Sequence, residues 1–559
     1  VMRDFHYYFR DYYHCGEYIE VQGDKLICEL SSKYALNQQF EGVIHSDRIE
    51  IVSKHKEFVE RRFGLGNINL DFEYDPELAE DGYVLKVEKE RILIAARNKR
   101  GIQYAVDALD VIAESRGGSI RLPLVAIHDE PSFRIRGIIE GFYGEPWTFA
   151  DRLDSIEFMA RHRMNTFLYA PKDDRYHREL WREPYPEAEF ANIRTLKQHC
   201  DERHIDFYYC ISPGNDMKFA SPADFECIFR KLRAMMDIGV KHFAVLMDDI
   251  DYVPKEENAH FLERPGLAHA YLVNEINRFL QESLPHYRLV MCPSEYWSYW
   301  DTEYKKDIRE TMDASVLVFW TGYFVFAPVI DRKHASDNRR FYGHDLILWD
   351  NIPVNDADRG RIFMGPVRNR YSRLAQHGHV GFVSNPMNQW ELSKIPLITL
   401  SHYMWNSERY EPDVSWNLAV NEFAPELVDA MTFFCANNDN GRLWFGRDEA
   451  LERAIETRDV AVVDRHYQQW ASVLEQLQAW NNEKFLSEAG PWLERAQHDI
   501  GLWRAIREAL ASGTEQAKAA AAEQIARSKE QQTRIGSDIA LRAAERWGLC
   551  PQPEPTTEG

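Results

Sequence analysis

Cysteine is scarce and scattered. The eight occur at Cys15, Cys28, Cys200, Cys210, Cys227, Cys292, Cys435 and Cys550, with no CxxC and no regular spacing. That excludes a disulfide framework, a zinc ribbon and a thiol redox motif as organising features. Phosphate and hydrolase signatures are missing too: there is no P-loop, GxGxxG, HExxH or GxSxG, so nucleotide binding, zinc hydrolysis and serine hydrolysis lose their usual warrants. No run is long and apolar enough to span a bilayer. Residues 1–10 lack the apolar stretch of a signal peptide, so the chain reads as cytoplasmic, with secretion left open if a leader has been trimmed. Basic charge is in deficit. Against 89 Asp and Glu stand 67 Lys and Arg, a net charge of −22, which argues against nucleic acid and anionic membrane as partners.

What remains is an ordinary globular composition over 559 residues, 45% hydrophobic and 28% charged, enough for two to four domains. Aromatics are plentiful, with 15 Trp and 27 Tyr, a supply that suits both a core and a pocket for a sugar-like ligand.

Residues 1–127 read as a small α/β domain. Strands are expected over Asn67–Tyr74, Gly82–Val87 and Arg91–Ala95. An amphipathic helix follows from about Gly101 to Glu114, where Ile102, Ala105, Val106, Leu109, Ile112 and Ala113 recur with helical spacing. Nothing in it carries chemistry, so a packing or positioning role is expected.

Residues 128–410 change texture. Short apolar strands alternate with helical stretches eight times: Arg136–Glu140, Thr166–Ala170, Asp206–Ile211, His242–Met247, Arg288–Cys292, Val316–Trp320, Asp345–Trp349 and Val380–Ser384. Eight such units over about 270 residues match a (β/α)8 barrel. A doubly wound sheet usually has fewer units and a Gly-rich first turn. Polar and aromatic residues follow every strand, on the face where barrels build active sites. Residues 411–548 show helical spacing only, as in Val463, Tyr467, Trp470, Leu474 and Leu477. Further helices are expected over about Pro491–Ala511 and Glu515–Trp547, and residues 549–559 read as a disordered tail. The fold class is therefore α/β, a (β/α)8 TIM-like barrel with a small N-terminal α/β domain and an all-helical C-terminal region.

The fourth strand ends in Asp248 and Asp249. Two adjacent carboxyls do not both ionise cheaply, so one is expected to hold a proton near neutral pH while the other stays charged. Such a pair suits the acid/base work of a glycosidase. Asp249, Ile250 and Asp251 also spell the DxD of a metal-dependent sugar transferase, but no basic phosphate cradle accompanies them. A solvated acidic loop is the plainest alternative, weakened by the position after a buried strand. His199, Cys200 and His204 lie ahead of the third strand, on the stability face, and read as packing. Trp297, Trp300, Trp390 and Trp405 read as core, with a ligand-wall role open for Trp297.

The stretches Gly137–Trp147, Tyr169–Asp174, Leu246–Asp251, Cys292–Tyr296 and Trp349–Asp356 together resemble glycoside hydrolase family 84, the β-N-acetylglucosaminidases that remove O-linked GlcNAc from Ser and Thr. The resemblance implies a retaining exo-β-N-acetylglucosaminidase, in which the substrate's own 2-acetamido oxygen attacks the anomeric carbon and forms an oxazoline. By the same resemblance Asp248 polarises the acetamido N–H and Asp249 is the general acid, then base. Gly141 gives room for the sugar, Lys172 faces the 3-hydroxyl, and Tyr296 holds the acetamido group or reacting oxygen. Asn351 supports Asp248, Asp356 and Asn385 bind the 4- and 6-hydroxyls, and Tyr143 and Trp349 shape the acetyl pocket. No cofactor or metal is implied. The expected partner is a GlcNAc-bearing glycoconjugate, glycoprotein or glycopeptide, with homodimerisation left open. An endo-acting hyaluronidase-like member and a non-catalytic GlcNAc-binding protein are the alternatives.

Overall fold

The computed structural model describes residues 9–22, 69–116, 119–250, 264–439 and 448–549. The N-terminal region is built on a six-stranded sheet: β1 (Asp11–Gln22), β2 (Asn69–Tyr74), β3 (Tyr83–Val87), β4 (Arg91–Ala96), β5 (Glu114–Arg116) and β6 (Ser119–Asp129). Its order is β1-β6-β3-β4-β2, with β5 paired to β6. Helix α1 (Lys99–Ile112) packs on β3 and β4. Asn98 caps it by accepting from the Gly101 amide. Ile102, Ala105, Leu109 and Ile112 from the helix meet Ile92 and Ile94 from the sheet. The helix stops at Ile112, short of the expected Glu114, because Glu114 already belongs to β5. Two long strands, β1 and β6, were not expected. Polar residues crowd the first, and Arg121 and Pro123 interrupt the apolar run of the second.

The next eight strands close into a parallel barrel: β7 (Ile135–Glu140), β8 (Thr166–Tyr169), β9 (Asp206–Ile211), β10 (His242–Leu246), β11 (Arg288–Cys292), β12 (Leu317–Trp320), β13 (Leu346–Asp350) and β14 (His379–Ser384). All eight expected strands are present, within a residue or so at each end. Helices α2 (Phe149–Arg161), α3 (Glu187–Glu202), α4 (Pro222–Asp237), α5 (Pro265–Ser283), α6 (Glu303–Thr311), α7 (Arg332–Tyr342) and α8 (Trp390–Trp405) alternate with them. A 3-10 turn, Leu374–His377, takes the helix's place after β13. The barrel interior is filled by residues such as Ile139, Leu168, Tyr208, Leu246, Val290, Phe319 and Val383, so it is a packed core and not a pore.

Beyond the barrel the described chain is helical: α9 (Pro412–Phe423), α10 (Val428–Ala436), α11 (Glu449–Thr457), α12 (Val460–Gln478), α13 (Glu483–Ser512), α14 (Glu515–Glu530) and α15 (Ile539–Arg546). Two expectations change here. Helix α13 begins at Glu483, where Asn482 caps the Phe485 amide, and runs through Pro491. The expected helix from Glu515 to Trp547 is two helices. Between them the chain folds onto the buried Arg495, which donates to Thr533 O at 2.7 Å and Asp538 Oδ1 at 3.1 Å. All but the first residue of the expected tail lies outside the described residues. Among the described residues no helix is long and apolar enough to cross a membrane.

One buried ion network joins the N-terminal sheet to the start of the barrel strands. Asp81 is fully buried. It accepts from Arg100 Nε at 2.7 Å, Arg136 Nη2 at 2.9 Å and Asn165 Nδ2 at 2.9 Å. Arg136 sits on β7 and is itself buried. Burial alone would raise the Asp81 pKa, but the two guanidiniums outweigh it and hold the carboxyl far below its usual value of 3.8. Asp81→Ala is therefore expected to lower unfolding free energy by about 3–5 kcal/mol at pH 7, because Arg136 is left buried without its partner. A depressed carboxyl contributes above its unfolded pKa and loses that contribution as pH falls through its folded one. Denaturant melts should show the gap between variant and parent narrowing only below pH 3.8.

Candidate active site

Backbone contacts fix the end of β10 before any side chain matters. The Met247 amide donates to Cys292 O at 2.8 Å, and Ser294 Oγ donates to Met247 O at 2.7 Å. The next residue, Asp248, is thereby held at the floor of a cavity of about 260 Å³. All ten residues expected at the site line this cavity: Gly141, Tyr143, Lys172, Asp248, Asp249, Tyr296, Trp349, Asn351, Asp356 and Asn385. Cys292, Thr321, Val325 and Phe326 complete the wall. Seven strand ends contribute, one fewer than expected. The loop after β9 does not line the cavity, because its Asp216 is bound by Trp181 Nε1 at 2.7 Å and by Arg182.

Asp248 is a buried carboxylate with its two oxygens in different circumstances. Oδ2 accepts from Lys172 Nζ at 3.0 Å, and both side chains are 7% exposed. Among the described residues no partner reaches Oδ1, although it too is buried. Burial pushes this carboxyl up; the charge and hydrogen bond of Lys172 outweigh burial and bring it below 3.8. Lys172 shows the mirror image, with burial lowering its pKa and Asp248 raising it above 10.5. The pair is thus held ionised.

Asp249 is in a different setting. Its φ of 48° lies in the left-handed region, which a non-glycine residue enters only at a cost. Tyr296 donates to Oδ1 at 2.9 Å and Tyr143 to Oδ2 at 3.1 Å. Burial first, and then the neighbouring Asp249 charge, pushes the Tyr296 phenol well above 10.0, so it remains a donor. Arg178 reaches both the Tyr143 hydroxyl and the Asp249 backbone carbonyl. It was not expected from sequence. The only signal was a cation a few residues beyond Asp174 in the loop after β8.

The rest of the ring is polar and interlocked. Asn385 Nδ2 donates to Asn351 Oδ1 at 3.0 Å, and Asn351 Nδ2 donates to Val325 O at 2.8 Å. Asn351 therefore braces the wall, while the group on Asp248 is Lys172. Asn385 Oδ1 is buried without a partner among the described residues. Asp356 accepts the Tyr143 amide at 2.9 Å. Gly141 is required by packing: a Cβ there would stand 2.6 Å from Trp349 Cζ2. His199 pairs with Glu157 at 2.8 Å, away from the cavity. Trp390 and Trp405 are buried, whereas Trp297 and Trp300 are exposed beside the mouth-forming loops. Asp251, the second acid of the DxD pattern, lies outside the described residues.

A family model described as beta-N-acetylglucosaminidase matches residues 136–436, more than half of the chain and all of the cavity's lining. The chain belongs to this family, glycoside hydrolase family 84. A second model, glycosyl hydrolase family 20, domain 2, matches residues 23–130. The protein O-GlcNAcases of Rattus norvegicus and Mus musculus are each 32% identical over 271 residues, 47% of this chain and 29% of theirs. The match thus spans less than a third of those relatives' length. Among solved structures, that of CpGH84B covers 96% of this chain and 98% of its own, at 24% identity and a TM-score of 0.78. A mutant of the Thermobaculum terrenum O-GlcNAc hydrolase covers 75% and 94%, at 27% identity and 0.70.

The ion pair makes a prediction about this family member that needs no substrate. Lys172→Met removes the charge and hydrogen bond that do most to offset burial at Asp248, so its carboxyl should titrate above 3.8 in place of below it. The variant should be about 3 kcal/mol less stable at pH 7, from the buried charge left unpaired. On acidification its Asp248 protonates first, so the gap should begin to close above pH 3.8. Urea melts across pH 4–8 measure this, and a pH-independent gap would contradict it.

Proposed function

We propose that this chain is a retaining exo-β-N-acetylglucosaminidase that hydrolyses terminal β-linked GlcNAc, including GlcNAc on Ser or Thr of glycoproteins, by substrate-assisted catalysis. One observation carries the reading: a buried carboxylate in the cavity with one oxygen neutralised by Lys172 and the other unpartnered. An unpaired buried acceptor is costly unless a ligand donor meets it, and the 2-acetamido N–H of a bound sugar is such a donor. The accepting oxygen draws density into the amide, so that its carbonyl oxygen attacks the anomeric carbon. The charge of Asp248 then stands beside the oxazolinium as it forms.

Asp249 delivers its proton to the leaving oxygen, then takes one from the water that opens the oxazoline. Two inversions give net retention. A retaining mechanism with a protein nucleophile needs carboxyls on opposite faces of the ring, about 5–5.5 Å apart, and neighbours on one strand end do not flank a sugar in that way. Asn385, with its free Oδ1, and Asp356, with one oxygen on the Tyr143 amide, are the acceptors for the 4- and 6-hydroxyls. Tyr296 steadies the acetamido group or the reacting oxygen. A cavity of about 260 Å³ is at the small end of ligand pockets, which favours a single terminal sugar over an endo-acting polymer cleft. The substrate is a GlcNAc-bearing glycoconjugate, glycoprotein or glycopeptide, and a cytoplasmic location fits the protein-bound case.

With chelator present, release is expected from an aryl β-GlcNAc and not from the matching aryl β-glucoside. Equal release from both would mean a protein nucleophile and overturn the role of Asp248. Asp249→Asn should slow poor leaving groups by about 10²–10⁴ and activated aryl groups far less. Equal losses on both would remove Asp249 as the acid.

A further inference from the structure

We propose that Arg178 is a positioning residue that determines which oxygen of Asp249 carries the catalytic proton. This rests on the reading of Asp249 as the general acid. A guanidinium only donates. Arg178 Nη1 lies 3.1 Å from the Tyr143 hydroxyl, so that oxygen accepts. The single phenolic hydrogen of Tyr143 must then point elsewhere, and its other neighbour is Asp249 Oδ2 at 3.1 Å. Oδ2 is thereby fixed as an acceptor, and the transferable proton belongs on Oδ1.

Oδ1 is the oxygen that Tyr296 reaches at 2.9 Å. Once Oδ1 carries a proton, the Tyr296 hydroxyl loses that acceptor and its hydrogen turns into the cavity, where the reacting oxygen sits. One cation thus sets the roles of two tyrosines. A second contact acts on the backbone. Arg178 Nη2 donates to the Asp249 carbonyl at 2.9 Å, at the residue whose φ is 48°. It restrains the left-handed turn that aims the acid. In the reaction the Oδ1–H bond breaks as the C1–O bond does. The hydrogen goes to the leaving oxygen, which keeps the bonding pair, while the acetamido oxygen forms its bond to C1. In the second half a water proton returns to Asp249 as the water oxygen bonds C1, and the C1–O bond of the oxazoline breaks, its pair returning to the acetamido oxygen.

Without Arg178 the Tyr143 hydroxyl is free to accept as well as donate, and the Asp249 proton divides between two oxygens. Arg178→Gln is expected to lower kcat/KM on a poor leaving group, such as an alkyl or Ser-linked GlcNAc, by about tenfold, and on an activated aryl GlcNAc by less than about threefold. Arg178→Lys keeps the charge and can make only one of the contacts, so it should recover part of the loss. In an Asp249→Asn background, which has no proton to place, Arg178→Gln should add little on either substrate. Equal loss on both substrates, or an undiminished further loss in the Asp249→Asn background, would overturn the proposal and leave Arg178 a structural residue. If Asp249→Asn alone lost equally on both substrates, the acid assignment would fall, and the proposal with it.

Discussion

A carboxylate buried with one oxygen satisfied and one not is the constraint on which this site depends. Water would satisfy both oxygens of an exposed Asp248. Burial removes that option, and Lys172 replaces only half of it. The Lys172 ammonium holds the carboxyl below its usual pKa where burial pushes it up. It does so from the neighbouring strand end but one, which is possible only because β8, β9 and β10 are registered side by side in a closed barrel. The eight strands hold that spacing, and the N-terminal sheet is tied to the barrel's other end through Asp81 and Arg136. The cavity and the main buried joint use the same device, a desolvated carboxylate held ionised by a cation. They differ in one respect. Asp81 has both oxygens occupied by donors, as a structural carboxylate should, whereas Asp248 keeps one in reserve.

The barrel was legible because its strands are buried on both sides. Runs such as His242–Leu246 and Leu317–Trp320 are nearly continuous in apolar residues, and helical spacing separates them. The N-terminal sheet was only half legible. Its strands β3 and β4 present core residues that α1 covers, but β1 and the first half of β6 carry charge, Pro and Tyr, and their partner lies over a hundred residues away in the chain. No local pattern records that pairing. The break between α14 and α15 was hidden for a similar reason. Residues 531–538 are polar enough to pass for an exposed helical face, and it is Arg495, on another helix, that gathers them into a loop.

At the site, identity was easier to read than partnership. Strand-end position and resemblance together named ten of the fourteen residues that line the cavity. They did not say which groups would bond one another. Asn351 was expected on Asp248 and instead links Asn385 to Val325. Arg178 went unnoticed because an arginine in a charged loop looks like a solvated one. Its meaning depends on a hydroxyl from the loop after β7 and a carbonyl from the loop after β10 meeting it in space. The loop after β9 looked equivalent to the other seven and is not, since its Asp216 is bonded to the buried Trp181 and does not line the cavity.

The left-handed turn at Asp249 answers a geometrical difficulty in the sequence itself. Successive residues of an extended strand point to opposite faces, so two adjacent aspartates at a barrel strand's end would ordinarily place one acid inward and the other away. A φ of 48° at the second residue turns the chain out of the strand and lets both carboxylates line one cavity. Such a conformation costs on the order of 1–3 kcal/mol for a non-glycine residue. The contacts that offset it are the ones that give Asp249 its setting: Tyr296 and Tyr143 on its two oxygens and Arg178 on its carbonyl. A glycine would make the turn freely and carry no acid. An aspartate continuing the strand would carry the acid to the wrong side. The residue type and the backbone conformation are compatible only because neighbouring strand ends supply the hydrogen bonds, so the second acid belongs to the barrel as a whole more than to the strand that bears it.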